Sequence, residues 1–259
     1  MLVYKLEVRK KPMGDIRTLN TEEDPSSETA AGEPTRALDR RFPAADQIYR
    51  VLRDTIISGG LRPGEAMSEN RICGMFNVSR SPVRIALTRL AEDGLVDIFP
   101  QRGSFVAPIK LQQVREGHFA RVALEIAVLG EAAQRWTPKH AALAKEAVKL
   151  QKRYAKAGDY WSFHMADEQF HRSFAVSAGL EGVWTTIQSC KTHLDRIRHL
   201  ANPVQGHMDK VIAEHEAVIA FLNESNRRAA IAAMRRHLDS LHETIERLRP
   251  MHENHFVED

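Results

Sequence analysis

The sequence predicts a mainly α protein, in which an N-terminal winged helix-turn-helix is followed by an all-α bundle of six or seven helices. Three observations predict it. All 12 histidines lie at or beyond His118, so composition divides the 259-residue chain near residue 110. Before that point a short helix, a turn and a basic second helix precede two β-prone runs around a glycine turn. Beyond it, apolar residues recur with a period near 3.6 and strand signals are few.

Composition sets the outer limits. Hydrophobic residues make up 43% and charged residues 27%, as in an ordinary globular protein. No apolar run approaches the roughly 18 residues of a membrane span. Charge interrupts Met1-Leu2-Val3-Tyr4-Lys5 too early for a signal-peptide core. Cys73 and Cys190 make no disulfide framework; both are expected as buried free thiols in a reducing, cytoplasmic compartment. A net charge of +3 from 37 basic and 34 acidic residues excludes a histone-like polycation.

Residues 1–41 are expected to form a disordered N-terminal extension. Pro12, Pro25, Pro34, Gly14 and Gly32 interrupt it and no period persists. Its eight basic residues are matched by eight acidic ones, which argues against a DNA-clamping arm. Residues 42–110 form the winged helix. Ile48, Val51, Leu52, Thr55 and Ile56 make the stripe of a first helix that stops at Gly59-Gly60. Ser68 caps a second helix through Ile72, Cys73, Met75 and Phe76. Ser79 or Ser81 caps a third, with Pro82 tolerated in its first turn.

In that third helix Val83, Ala86, Leu87 and Leu90 share the apolar face. Arg80, Arg84 and Thr88 share another, with Ser81 beside them, and no acid occurs between residues 71 and 89. Ser79, Arg80, Ser81 and Arg84 are therefore placed on DNA. Arg89 points away and is expected at the surface or in an ion pair. Leu95 to Phe99, then Pro100-Gln101-Arg102-Gly103, then Ser104 to Ala107 read as a hairpin. Arg102 and Gly103 lie at its tip, where Arg102 can reach phosphate or the minor groove.

Residues 111–250 read as the bundle, and 251–259 as a C-terminal tail. Breaks fall at Trp136-Thr137-Pro138, Ala157-Gly158-Asp159, Ala178-Gly179, Ala201-Asn202-Pro203 and Asn223-Glu224-Ser225-Asn226. Three apolar stripes carry polar residues. Phe163, Asp167, Phe170, His171 and Phe174 form one; Val211, Ile212, His215, Val218, Ile219 and Leu222 another. The last holds Ala230, Ala233, Met234, His237, Leu238, Leu241 and Ile245. A lone histidine on an apolar face is usually an ordinary core residue. Burying four polar groups without partners costs roughly 1–3 kcal/mol each. A shared divalent ion removes that cost, and three imidazoles with one carboxylate suit Zn, Ni or Mn with positions left open. His164 is a weaker ligand candidate. His193, His199 and His207, nearer helix ends, are expected at the surface or behind the ligands.

Two resemblances follow from these residues. Gly60-Leu61-Arg62-Pro63-Gly64-Glu65, Ser68-Glu69, Val78-Ser79-Arg80-Ser81-Pro82-Val83-Arg84, Gly94-Leu95-Val96 and Arg102-Gly103 resemble the winged helix of GntR-family bacterial transcription regulators. Ile85 and Cys73 stand where that family usually has Glu and Ala. Arg121-Val122-Ala123-Leu124-Glu125, Asp167-Glu168-Gln169-Phe170-His171, Glu214-His215 and Ala233-Met234-Arg235-Arg236-His237-Leu238 resemble the FCD ligand-binding domain of its FadR subfamily. Asn226 replaces the family's usual Asp before the last helix, and Leu180 its usual Asn after the Asp/His helix. The resemblance implies Asp167, His171, His215 and His237 as metal ligands and a small carboxylate or sugar acid as effector. Arg121, which shares a stripe with Leu124, Val128 and Ala132, and Arg198 are candidates to hold that carboxylate. The chain is thus expected to be a homodimeric, non-enzymatic regulator, in the commoner mode a repressor, that binds a double-stranded DNA operator. A metal-dependent hydrolase with an accessory DNA-binding domain and a pure metal sensor are the competing readings.

Overall fold

The computed structural model describes residues 37–258, so the expected disordered extension lies outside the described residues up to residue 36. Just beyond, Leu38 packs against the winged-helix core and the Asp39 amide donates to the Gln47 side chain at 2.9 Å. The winged helix holds α1 (Ala44–Ile57), α2 (Glu69–Phe76), α3 (Arg80–Glu92), β1 (Val96–Phe99) and β2 (Gly103–Val106). The predicted faces are the buried ones: Ile48, Leu52 and Ile56 from α1 meet Val83, Ala86, Leu87 and Leu90 from α3. Ser68 accepts from the Arg71 amide at the start of α2, and Asn77 ends it in the left-handed region. Ser79 stands at the head of α3 without a side-chain cap bond.

β1 and β2 pair antiparallel, with Val96 opposite Val106 and Phe99 opposite Gly103. Gln101 and Gly103 take positive φ, 62° and 100°, to close the turn. A third strip joins the wing: Ala66 bridges Phe105, and the Gly64 and Met67 amides donate to the Val106 and Ser104 carbonyls at 2.8 Å each. The sequence reading takes Leu61 to Gly64 as a turn and sees no strand after it, because Glu65-Ala66-Met67 is too short to show an alternation.

A short strand β3 (Ile109–Lys110) leads into α4 (Leu111–Gln134), α5 (Pro138–Ala157), α6 (Tyr160–Ala178), α7 (Glu181–Cys190), α8 (Thr192–Ala201), α9 (His207–Asn223), α10 (Arg227–Asp239) and α11 (Leu241–Leu248). Local chemistry sets most ends. Thr137, Asp159 and Asn226 cap α5, α6 and α10, while Gly158 and Gly179 end α5 and α6 in the left-handed region. Leu180, without a capping side chain, heads α7 and is exposed. Two bends lack Gly or Pro. At Ser240 the hydroxyl donates to the His237 carbonyl at 2.7 Å, and Thr244 returns a bond to the Ser240 carbonyl at 3.0 Å. At Lys191 the chain turns where α4 presses closest to α7. The bundle is thus six helical stretches, two of them bent.

The bundle core gathers Phe163, Phe170, Phe174, Val218, Leu222 and Met234. A smaller core joins the linker to the bundle end, with Ile109, Leu111 and Val114 against Leu194, Ile197, Leu248 and Phe256. Residues 251–258 return to that linker: β4 (Phe256–Val257) pairs parallel with β3, Ile109 opposite Phe256. Among the described residues no helix is long and apolar enough to cross a membrane.

Candidate metal centre and DNA-reading face

Arg80, Ser81, Arg84 and Arg102 are exposed, as a DNA-reading face requires. The face is not free of acid. Glu69, from α2, reaches across the turn and accepts from Arg84 Nε at 3.0 Å. Spacing along α3 could not show a partner supplied by the neighbouring helix. Arg102 lies over the Phe99 ring, 5.6 Å from its centroid. Ile85, at 51% exposure, touches no core and stands on the open side of α3. Arg89 pairs with Asp46 and stacks on Tyr49, as expected of an arginine turned away from DNA.

Asp167 and His171 on α6, His215 on α9 and His237 on α10 are all buried and converge. Their ligating atoms lie within 4.8 Å of one another. His215 Nε2 stands 3.3 Å from His237 Nε2 and 3.7 Å from Asp167 Oδ1; His171 Nε2 is 3.8 Å from Asp167 Oδ2. The other ring nitrogens point outward onto acceptors. His171 Nδ1 meets Glu125 Oε2 at 2.6 Å, His215 Nδ1 meets Gln151 Oε1 at 2.9 Å, and His237 Nδ1 meets Glu214 Oε2 at 2.7 Å. Gln151 Nε2 donates to Asp167 Oδ1 at 3.4 Å, which fixes which amide atom faces His215.

These partners decide the tautomers. A carboxylate only accepts, so Nδ1 of His237 carries the proton, the Gln151 oxygen demands the same of His215, and the Glu125 carboxylate beside Nδ1 of His171 favours the same tautomer there. Arg121 Nη2, a donor, stands 3.2 Å from His171 Nε2 and agrees. The inward nitrogens therefore present lone pairs; Arg121 donates to that of His171, while those of His215 and His237 are bare. Two of them face each other at 3.3 Å beside a buried carboxylate. Such an arrangement repels itself unless a cation sits among the four, and a cation would find each imidazole already oriented. The donor set fits a divalent metal of the Zn, Ni or Mn class.

Burial keeps these imidazoles neutral. It lowers His171 to about 4 and holds His215 and His237 below the usual imidazole value. Burial alone would raise the Glu125 carboxyl, but the Arg121 charge beside it and hydrogen bonds from Arg121 and His171 hold it below its ordinary range. His193 is likewise lowered to about 4, by burial and then by Arg196 and Lys110. An unfolded chain protonates these rings near 6.5, so the folded state binds fewer protons below that value. Metal-free protein is expected to keep this stability above about pH 6.5 and to lose it as pH falls toward 4, about 3 kcal/mol for His171 alone. Urea unfolding at pH 7, 6 and 5 checks it; a midpoint that does not fall would contradict neutral buried rings.

Both candidate effector arginines reach the site. Arg121 is buried, donates to Glu125 at 2.6 Å and touches His171, so it points inward and is ion-paired at once. Arg198 rests on Asp167 and on Glu168 at 3.2 Å. A small cavity of about 50 Å³ is lined by Arg121, Arg198, Asp167 and His237. Asn202, Ser240 and Thr244 add hydrogen-bonding groups, and Phe163, Val211 and Leu241 an apolar wall.

Some expectations are corrected. His164 stands with Glu168 and Asp195, outside the ligand set. His193, at 5% exposure, is buried rather than superficial, and His199 and His207 are half-buried. For His193 and His199 the reason is that α8 is wedged between the winged helix and the bundle, so a residue at its end lies inside the molecule. Cys73 and Cys190 are half-buried rather than buried. Gln151 was missed. Its signal was present, since Gln151 continues the Ala144, Ala147, Val148 stripe of α5. Lys191, wholly buried, was missed because no local pattern marks a lysine for the interior.

Comparison with known proteins places both halves. Residues 44–106 match the family model "Bacterial regulatory proteins, gntR family", and residues 116–240 match the FCD domain. The chain is 33% identical over 217 residues to the HTH-type transcriptional repressor RspR of Escherichia coli K12, covering 84% of this chain and 95% of that one. The crystal structure of a GntR transcriptional regulator of Rhodococcus sp. RHA1 superposes with a TM-score of 0.66 at 25% identity, over 78% of this chain and 97% of its own. E. coli McbR/YncC gives 0.69 at 16% identity, over 80% and 98%.

Proposed function

The chain belongs to the gntR family of bacterial regulatory proteins and carries an FCD domain, and on that premise we propose that it is a repressor whose operator affinity is controlled by a metabolite bound at a metal site. Asp167, His171, His215 and His237 would hold one divalent ion, and that ion would offer open positions to a small carboxylate or sugar acid. Arg121 and Arg198 orient the effector's carboxylate in the cavity, while Glu125, Gln151 and Glu214 keep the ring nitrogens turned inward. The observation that carries the reading is the facing pair of bare nitrogens beside Asp167. A pure metal sensor would not need the arginine-lined cavity, and a hydrolase would not need the DNA-reading face.

A panel of mono- and dicarboxylates against zinc-loaded protein tests it by thermal shift. Binders are expected, and His215→Ala should abolish their effect; binding that is indifferent to His215→Ala would overturn the metal's part. On the DNA side, Arg80→Ala and Arg84→Ala should each weaken operator binding by about 1–3 kcal/mol at fixed salt. The Glu69 pair on Arg84 is solvent-exposed and worth under about 1 kcal/mol, so it yields readily to a base or phosphate. Unaltered affinity in both variants would remove α3 from the interface. One winged helix offers a small surface, so a homodimer on a two-fold operator is expected. Light scattering showing a monomer bound one-to-one to DNA would contradict that.

A further inference from the structure

Beside the metal ligands lies a second cluster. His164, Glu168 and Asp195 bring ligating atoms within 4.8 Å of one another. A cation is already among them. Lys191, 1% exposed, places Nζ 2.7 Å from both Asp195 oxygens and 2.8 Å from Glu168 Oε2. The cluster is an internal ion-pair cage, with its carboxylates taken. Its importance lies in what it joins.

Arg198 spans one side of the cage. Its guanidinium rests on Asp167, meets Glu168 Oε1 at 3.2 Å and stands 3.6 Å from Asp195 Oδ1. On the other side Arg53, from α1 of the winged helix, places Nη2 3.7 Å from Asp195 Oδ2. Three carboxylates, Asp167, Glu168 and Asp195, thus alternate with three cations, Arg198, Lys191 and Arg53. The row runs without interruption from a metal ligand to the DNA-binding half. All but Arg53 are buried or nearly so, and even Arg53 is only 22% exposed, so solvent screens these charges little.

We propose that this row is the coupling between ligand pocket and winged helix, with Asp195 as its node and Arg53 as the positioning residue that receives the signal. The proposal rests on the metal reading in one arm only. Asp195 is shared by Arg198, Lys191 and Arg53. A cation that takes Asp167 leaves Arg198 to Glu168 and Asp195, and Asp195 then holds Arg53 less. A carboxylate that takes Arg198 does the reverse, and α1 is drawn toward α8. Because Leu52 and Ile56 of α1 pack on the same core as the apolar face of α3, displacing α1 displaces the DNA-reading helix.

Coupling, not proximity, is the test of such a link. Hydrogen exchange of α1 amides is measured for wild type, Asp167→Asn, Arg53→Gln and the double variant, all metal-free, and for wild type and Arg53→Gln with zinc alone. Asp167→Asn is expected to change α1 exchange about threefold or more, and Arg53→Gln to cancel that change. Zinc should likewise act on α1 in wild type and not in Arg53→Gln, and by reciprocity the zinc Kd of the two should differ by about the same factor. Additive effects of Asp167→Asn and Arg53→Gln would overturn the proposal, as would an unchanged α1 in Asp167→Asn. If zinc fails to bind wild type, the metal reading falls and the metal-free arm still judges the relay. Should Asp167→Asn not fold, Glu168→Gln, which perturbs the same arginine from its other side, takes its place.

Discussion

Stripping the divalent ion with a chelator is expected to lower the thermal midpoint by about 10 °C. An ion bound only by the folded state at about 1,000 times its Kd stabilises that state by about 4 kcal/mol, and a domain of this size shifts a few degrees per kcal/mol. The loss has a second component. Without the ion, His215 Nε2 and His237 Nε2 face each other as lone pairs at 3.3 Å in a buried site. His215→Ala should bring zinc-treated protein to the chelated midpoint, because it removes one ligand and its hold on Gln151. DNA binding should persist in both, since no residue of the winged helix is in the ligand set. Elemental analysis finding no metal after incubation with Zn, Ni and Mn, together with a midpoint indifferent to chelator, would refute the site.

Gly117→Ala should unfold the chain more readily by about 3 kcal/mol, the upper part of the range for overpacking a core. A methyl group there would run into the Cys190 carbonyl oxygen and lie 3.3 Å from its carbon. Both are backbone atoms, so no rotamer relieves the clash and α7 must move off α4. The next residue is Lys191, whose ammonium holds Asp195 and Glu168, so the ion-pair cage is strained as well. Gly182→Ala is the matched control. It lies in α7 with nothing within 4 Å of the added atom and should stabilise by about 0.5–1 kcal/mol through helix propensity. Urea midpoints decide; an unmoved midpoint in Gly117→Ala would show that α4 and α7 do not meet this closely.

Much of this protein is legible along the chain because local rules suffice for it. The stripes of α1, α3, α6, α9 and α10 carry their own period, and Ser68, Thr137, Gly158 and Gly179 mark ends by their own chemistry. The four candidate ligands are legible for the same reason: polar residues interrupt apolar stripes, and interruption is a one-dimensional signal. The bends at Lys191 and Ser240 are not legible, since one depends on a helix distant in sequence and the other on side-chain hydroxyls that elsewhere stay helical.

Partnership is what only the tertiary structure decided. Asp167, His171, His215 and His237 could be nominated from three separate helices, but their convergence within 4.8 Å required the packing of α6, α9 and α10. Glu125, Gln151 and Glu214 became orienting groups only when the rings were seen to point at them. Glu69 came to Arg84 across a turn, and Arg53 came within 3.7 Å of Asp195, 142 positions further on, because α8 is wedged against α1. A side chain's own periodicity determines which way it faces. What it then meets is determined by the element on the other side, and no local spacing encodes that.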